Sequence, residues 1–419
     1  MLRPSSPRLL LLLPTVTYRT VAFVEAARRL GTDLIVASER PSTFERANPT
    51  GLVTLDFADP THAAAQAREF ARVHPVHGVV AVDDDTAVVA AAIAEALGLR
   101  GNPVAAAAAA RDKHQQRQLL ATAGVAVPRF ELLTIAADPE KVASGVSYPC
   151  VLKPLRLSAS RGVIRADTPA GFVAAFERIK RILEQTGCAR SLLVEEFVPG
   201  REVAVEGLVT QGALQVLALF DKPDPLDGPF FEETIYVTPS RLARTAQQEI
   251  AACAQAAVHA LGLRDGPIHA EVRHNDRGAW LIELAARPIG GRCSGALRFE
   301  SRDAAGEMRE ASLEEIIIRH ALGMDLPAME RERQASGVMM IPVPGAGVLR
   351  DVQGVGEAQA VPLVEEVVIT MHSGQPLVPW PEGSRYPGFI FARGGTSEAV
   401  EAALRAAHAR LEFLTEPAD

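Results

Sequence analysis

Cysteine is scarce in this chain: four occur in 419 residues, at Cys150, Cys188, Cys253 and Cys293, and none has CxxC spacing. That pattern excludes a disulfide framework and a cysteine zinc knuckle. Positive charge is not in excess either. A net charge of −8 argues against a protein whose main task is gripping nucleic acid phosphates. Long apolar runs are missing; the one near the start, Leu9 to Leu13, is too short for a membrane span and ends at Pro14. Arg3 and Arg8 imitate the charged start of a signal peptide, but no A-x-A site follows. We therefore expect a cytoplasmic protein with neither nucleic acid nor membrane as partner. Neither a GxxxxGK[ST] loop nor a strand-helix GxGxxG is present.

Lysine is also rare. Of 43 basic residues, lysines occur only at 113, 141, 153, 180 and 222, and arginine serves elsewhere. A position that keeps lysine against that bias is a candidate for needing a compact ammonium on a flexible stem. Lys141 and Lys180 lie in polar helical stretches, where chance explains them. Lys113, Lys153 and Lys222 lie in motif-like segments.

What the chain does have is ordinary globular composition, 48% hydrophobic and 22% charged, with length enough for two or three lobes. Residues 8–110 alternate short apolar runs (Leu9–Leu13, Leu34–Val36, Leu52–Leu55, Val79–Val82) with helical patterns at Val21–Leu30, Ala63–Val73 and Ala87–Leu97. Such alternation predicts a doubly wound parallel sheet. Ligands bind such sheets at the carboxyl ends of their strands, which are the loops Pro14–Arg19 and Asp83-Asp84-Asp85 here. The three aspartates suit a substrate ammonium, or equally a helix cap. Ala105–Ala110 runs into Arg111–Ala123 as one expected helix that Gly124 ends. Strands are expected at Pro149–Lys153, Leu192–Phe197 and Glu202–Leu208, with a helix at Pro169–Glu184. A helix at 246–261, two strands, and a helix at Leu313–Leu322 follow. Residues 325–419 read as a small α/β lobe closed by a helix over Ser397–Leu414.

Four segments carry chemistry. In Ile268–Leu284, two strand-like runs flank Asp276-Arg277-Gly278, a three-residue hairpin loop with glycine at the left-handed position. That loop places Glu271 opposite Glu283, with Ala270, Val272, Ile282 and Leu284 on the apolar face. Two carboxylates about 5 Å apart repel unless a cation lies between them, and paired hard oxygens suit magnesium. The plainer alternative is a wet face matched by His269 and Arg273. Four residues past Glu283 stands Arg287, placed to contact a phosphoryl group or clamp a carboxylate, and Gly290 and Gly291 let backbone approach a ligand. In Tyr148–Val163, Lys153 ends an apolar strand and Ser158, Ser160 and Gly162 form a small-residue loop able to fold over phosphates. In 192–207, a strand ends at Glu195-Glu196-Phe197-Val198, turns at Pro199-Gly200 and returns from Arg201-Glu202. Such an extended hinge suits an adenine ring, and a following carboxylate suits a ribose diol; a plain β-hairpin is the common alternative.

The ordered set Asp112-Lys113, Lys153, the Ser/Gly loop, Glu-Glu-Phe-Val-Pro-Gly-x-Glu, Glu271, Glu283 and Arg287 resembles the ATP-grasp superfamily of carboxylate–amine ligases over roughly residues 8–320. The Glu-Leu-Ala-x-Arg-x-x-Gly-Gly segment and the Phe-Asp-Lys…Gly-Pro-Phe-Phe-Glu-Glu loop at 220–233 look most like the dipeptide-forming L-amino-acid ligases. The resemblance implies an α/β ATP-grasp architecture. It comprises an N-terminal doubly wound domain (1–110), a two-lobed nucleotide-binding core (111–324, with a lid lobe about 135–200) and a C-terminal α/β lobe (325–419). It further implies ATP and Mg2+, with Mn2+ an alternative metal. Lys113, Lys153 and, from a mobile loop, Lys222 would contact phosphates beneath the 158–162 loop. Glu195, Glu196, Phe197 and Val198 would hold adenine, and Glu202 ribose. Glu271 and Glu283 would bind metal, and Arg287 would stabilise an acyl phosphate.

Asp84, Asp85, Glu232, Tyr236, Arg287, Gly290 and Gly291 are the substrate candidates. Many members carry Asn two residues after the second metal glutamate, where this chain has Ala285, although alanine also fits the dipeptide-ligase branch. The implied partners are a small-molecule carboxylate and an amine, amino acids first, and a homodimer is compatible with the superfamily. A ligase of other carboxylates, a purine-type enzyme and a non-catalytic nucleotide sensor are the rival readings. A metal-dependent hydrolase is disfavoured because His269 and His274 face opposite ways and neither Cys150 nor Cys293 has an obvious base.

Overall fold

The four strands of the amino-terminal region are β1 (Arg8–Leu12), β2 (Asp33–Ser38), β3 (Leu52–Thr54) and β4 (Gly78–Ala81), all parallel and ordered β3-β2-β1-β4. β1 is central and buried on both faces, which is why it reads as an unbroken leucine run. Helices α1 (Thr20–Leu30), α2 (Pro60–Val73) and α3 (Asp84–Leu97) cover the sheet. This computed structural model describes residues 6–15, 17, 19–187, 190–302, 308–326 and 329–417. Cys188, and Val16 and Tyr18 of the Pro14–Arg19 loop, lie outside the described residues.

The single helix expected over 105–123 is two: α4 (Val104–Arg111) and α5 (Lys113–Thr122). Asp112 adopts extended dihedrals between them, and its carboxylate accepts from the His114 and Gln115 amides. A side chain that offers the backbone this alternative favours a cap over a helix interior. The break turns Lys113 inward, where it is buried.

A four-stranded sheet follows, ordered β5-β8-β6-β7 from β5 (Phe130–Thr134), β6 (Cys150–Pro154), β7 (Ile164–Ala166) and β8 (Ser191–Glu196). The short α6 (Pro139–Ala143) and the amphipathic α7 (Pro169–Thr186) bury Phe172, Phe176 and Ile179 against it. The stretch at Pro199-Gly200 is not a hairpin. β9 (Arg201–Thr210) belongs to a different, eight-stranded sheet, so these two residues carry the chain from one lobe to the other. Gly200 is required there: its φ is +131, and a Cβ would collide with the His274 carbonyl.

The large sheet continues with β10 (Ala213–Asp221), β11 (Ile235–Thr238), β12 (Asp265–Asn275) and β13 (Gly278–Ala285), backed by α8 (Arg244–Leu261). Beside it lie the short strands β14 (Phe299–Arg302), β15 (Met308–Ala311) and β16 (Glu330–Arg331), and α9 (Leu313–Ala321). The last part holds β17 (Ala335–Met340), β18 (Gly347–Gln353), α10 (Val355–Gln359), β19 (Val364–Ile369), β20 (Pro376–Leu377), β21 (Gly388–Gly394), α11 (Ser397–His408) and β22 (Glu412–Glu416). The closing helix therefore stops at His408, and a strand occupies part of the range expected to be helical. The C-terminal lobe is joined to the core through β17, β21 and β19, which extend the large sheet, whose order is β13-β12-β9-β10-β11-β17-β21-β19. No helix of the described residues is long and apolar enough to cross a membrane.

Candidate active site

Between the small and large sheets lies a cleft of about 690 Å3. Lys113, Lys153, Ser158, Ser160, Glu195, Glu196, Phe197, Val198, Glu202, Glu271 and Glu283 all line it, together with Leu226, Phe231, Glu233, Arg273 and Ile282. Residues as far apart as 113 and 283 thus converge on one space.

The hairpin of β12 and β13 sets the acidic side. Glu271 pairs with Glu283 as expected, but a bulge follows at once: Val272 pairs with Leu281, and Asn275 with Gly278. The loop is therefore the two residues Asp276-Arg277, and Leu281 replaces Ile282 in the apolar patch. Ile282 is turned into the cleft instead. β13 is an edge strand, and helix α5 covers it. Gln116 accepts from the Leu284 amide and donates to the Leu284 carbonyl, and Arg117 donates to the Ile282 carbonyl. Those bonds bracket Glu283 and hold it in register. Its carboxylate lies 2.9 Å from Lys113 Nζ, which also donates to the Leu157 carbonyl.

The opposite wall is an ion triad. Lys153 Nζ stands 2.5 Å from Glu195 Oε2, and Arg117 Nε donates to Glu195 Oε1 at 2.6 Å, all three side chains being buried. Burial pushes the Lys153 ammonium below its usual range despite Glu195. Burial would raise Glu195, but Arg117 and Lys153 outweigh it and hold the carboxyl low. Glu195 is thus engaged with cations, unlike the adenine contact expected of it. Glu196 accepts from Arg129, and Phe197 lies under Arg165. Arg273 donates to Glu202, to the Val198 carbonyl and to the Leu226 carbonyl, tying the interlobe crossing to the 221–229 loop.

Lys222 is placed differently from the expectation of a mobile phosphate contact. It is 3% exposed and enclosed by Glu202 (2.7 Å), Glu233 (2.5 Å) and Glu271 (3.2 Å). Burial opposes its charge, but the three carboxylates prevail and raise its pKa well above the usual value. Burial would raise Glu271, yet Lys222 and His269 hold it well below the normal range. Glu202, Glu233 and Glu271 are also the one acidic group among the described residues with metal-ligand spacing, and the Lys222 ammonium sits among them as a shared counter-ion. Tyr236 donates its hydroxyl to Glu233, while Glu232 accepts from the Val343 amide. Tyr236 is buried and Glu232 faces the C-terminal segment.

The aspartate loop divides its tasks. Asp83 caps α3 through the Thr86 amide, Asp85 pairs with Arg111 at the surface, and Asp84 points to Arg287 at 2.9 Å. Arg287 is thereby reached from the amino-terminal domain. Gly291 has φ +58, and a Cβ there would strike Met340. The Gly290 carbonyl accepts from the Cys293 amide. The Gly162 amide donates to the Pro381 carbonyl and is taken up by that bond. Cys150 and the half-buried Cys253 have thiols pushed up to about 11 by desolvation, as structural cysteines should.

Sequence reasoning missed Arg117 and Glu206. Glu206 is fully buried, accepts from the Ile289 amide and lies 3.6 Å from His269 Nδ1, while His269 Nε2 is 3.8 Å from Glu271. His269 and Arg273 alternate with Glu271 along β12, and that period of two was the available signal. Nothing in a helical segment marks Arg117 as an internal counter-ion.

Glu271 and Glu283 are paired across β12 and β13 and both line the cleft, and two hard carboxylates of this kind suit Mg2+, although each is held by a lysine here. Ala285 is buried and brings no further oxygen.

Two stacked lobes enclosing a lysine-rich and carboxylate-rich cleft define a nucleotide-dependent ligase architecture. Residues 146–296 match the ATP-grasp domain, residues 24–101 the ATP-grasp N-terminal domain, and residues 339–416 the L-amino acid ligase C-terminal domain 2. The chain thus carries an ATP-grasp domain preceded by an ATP-grasp N-terminal domain. The crystal structure of an L-amino acid ligase from Bacillus licheniformis superposes with a TM-score of 0.81 at 26% identity, over 99% of this chain and 100% of that one. Alanine–anticapsin ligase of Bacillus subtilis is 31% identical over 215 residues, 47% of this chain and 45% of the relative. D-alanine–D-alanine ligase of Aromatoleum aromaticum is 28% identical over 190 residues, 45% of this chain and 60% of the relative. The chain spans about half the length of the Bacillus anticapsin ligases it matches.

Proposed function

We propose that the protein is an ATP-dependent carboxylate–amine ligase that joins two amino acids through an acyl phosphate. The observation that carries this reading is the convergence of Lys113, Lys153, Glu271 and Glu283 on one cleft, with Arg287 just past β13 and held by Asp84. A substrate carboxylate oxygen attacks the γ-phosphorus, the bond to the ADP oxygen breaks, and an acyl phosphate forms. The amine of the second substrate then attacks the acyl carbon, phosphate leaves, and the nitrogen loses its proton.

Little covalent work falls to the protein in phosphoryl transfer; positioning and charge neutralisation are its contribution. Lys113 and Lys153 line the cleft as ammonium donors for phosphate oxygens, and the 158–162 loop shields the acyl phosphate from water. Glu271 and Glu283 would hold Mg2+, which would supply charge neutralisation of the phosphates. Arg287 is the donor for the acyl phosphate, and Asp84 fixes its guanidinium. The match to the L-amino acid ligase C-terminal domain 2 favours amino acids as both substrates.

The test is phosphate release from Mg·ATP by the purified protein across a grid of paired amino acids, each also supplied alone. Release that needs both partners, with ADP and a condensed mass in the products, supports the reading. Turnover with one carboxylate and no second amino acid removes the dipeptide assignment. Failure to bind ATP removes the ligase.

A further inference from the structure

The 158–162 loop does not hang free over the cleft. Ala159 and Ser160 hold left-handed dihedrals, φ 54 and 53, which non-glycine residues adopt only when their surroundings impose them. The surroundings come from far along the chain. Trp380 Nε1 donates to the Ala159 carbonyl at 2.8 Å, and the Gly162 amide donates to the Pro381 carbonyl at 2.9 Å. Next in sequence, Glu382 accepts two bonds, 2.6 and 2.7 Å, from Arg178 on helix α7, which backs the same small sheet. Three successive residues of the C-terminal segment therefore grip the small lobe at its phosphate loop and at its supporting helix.

The segment is firmly seated at its other end. The buried Trp380 ring packs on Tyr386 with centroids 4.8 Å apart, and Tyr386 meets Phe389 on β21 at 6.3 Å. β21 is a strand of the large sheet. A continuous path of hydrogen bonds and tilted ring contacts thus joins the phosphate loop to the opposite lobe by a route separate from the Pro199-Gly200 crossing. Helix α7 is gripped from a second side, where Arg178 lies over Phe230 of the 221–233 segment at 4.8 Å.

We propose that Trp380, Pro381 and Glu382 form a catch that positions the 158–162 loop over the nucleotide, so that the C-terminal segment sets loop closure. These are positioning residues: they act through Ala159, Gly162 and Arg178 and touch no reacting atom. Retention of the acyl phosphate away from water depends on the catch, a consequence that rests on the ligase reading above.

Amide hydrogen exchange over 157–163 tests the catch without any need for turnover. Trp380→Phe keeps the ring and removes the N–H; Glu382→Gln and Arg178→Gln weaken the ion pair from each side. Each change is expected to raise exchange in 157–163 by roughly 3- to 5-fold relative to helix α8, the size of effect a half-exposed bidentate pair supplies. Because Glu382 acts through Arg178, which also lies over Phe230, the double variant should be no worse than Arg178→Gln alone. In the enzyme assay, the KM for ATP and the ratio of ADP to amide should rise more than kcat falls. Unchanged exchange in 157–163, an equal rise throughout the chain, or additive single effects would each overturn the proposal. Absence of amide product in the unaltered protein would remove the ligase reading and leave the exchange result to decide the catch by itself.

Discussion

Lys153 and Glu195 are diagonal neighbours on one face of the small sheet. Val151 stands opposite Glu195 and Lys153 opposite Leu193, so the β6–β8 register brings the ammonium within 2.5 Å of the carboxylate. Glu195 also compensates Arg117, so two buried cations depend on one carboxylate. Removing one member of a buried pair leaves an uncompensated charge and costs about 3–5 kcal/mol. Glu195→Ala should lower unfolding free energy by about 3 kcal/mol or more in urea titration, and ATP affinity with it. A loss under about 1 kcal/mol, the value of a surface pair, would show that the triad is solvated.

Glu283 behaves oppositely, because it is partly exposed and its neighbours have other partners. Glu283→Ala should abolish amide formation, by about 10²-fold or more, with stability changed by less than about 1 kcal/mol. Phosphate release and thermal unfolding on the same preparation check both halves. Near-normal turnover would take Glu283 out of the metal site.

The Asp84–Arg287 pair connects the amino-terminal sheet to the ligand side of β13. Asp84→Asn should lower kcat/KM for amide formation by about 10-fold, roughly what a charge-assisted bond contributes, while the affinity for ATP stays the same. Equal losses in nucleotide affinity and turnover would show that Asp84 serves the interdomain packing rather than Arg287.

His320 supplies a pH-dependent term. It is buried on α9, near Thr210 and Arg100, and burial brings its pKa down to about 4. The folded protein therefore holds it neutral, while the unfolded chain protonates it near pH 6.5. Its contribution is complete above pH 6.5 and is lost as pH falls through about 4, reaching about 3 kcal/mol. Urea midpoints from pH 7 to 4 should fall for the natural chain and fall less for His320→Gln. Parallel slopes for the two would count against it.

Much of the architecture was legible because its signals are local. The leucine run of β1, the strand-helix alternation of the first domain and the stop at Gly124 after α5 each follow from a few adjacent residues. The pairing of Glu271 with Glu283 was legible from hairpin geometry. The bulge beyond it was not, since a one-residue shift depends on what the outer strand packs against. Asp112 was misread as helix interior because capping wins over alanine-rich propensity only when a loop carbonyl, here Leu155, receives the next amide. Lys222 was singled out by composition, yet its three carboxylate partners come from separate strands and loops.

The sequence by itself determined the residue types that meet nucleotide chemistry, their order along the chain and the periodicity that puts His269, Glu271 and Arg273 on one strand face. Only the tertiary structure decided which charges neutralise which: Arg117 with Glu195, Lys113 with Glu283, Asp84 with Arg287 and Lys222 with its acidic cage. The reason is physical. Propensity and alternation act over a few residues, whereas an ion pair forms between groups that packing of whole lobes brings within about 4 Å and strips of water.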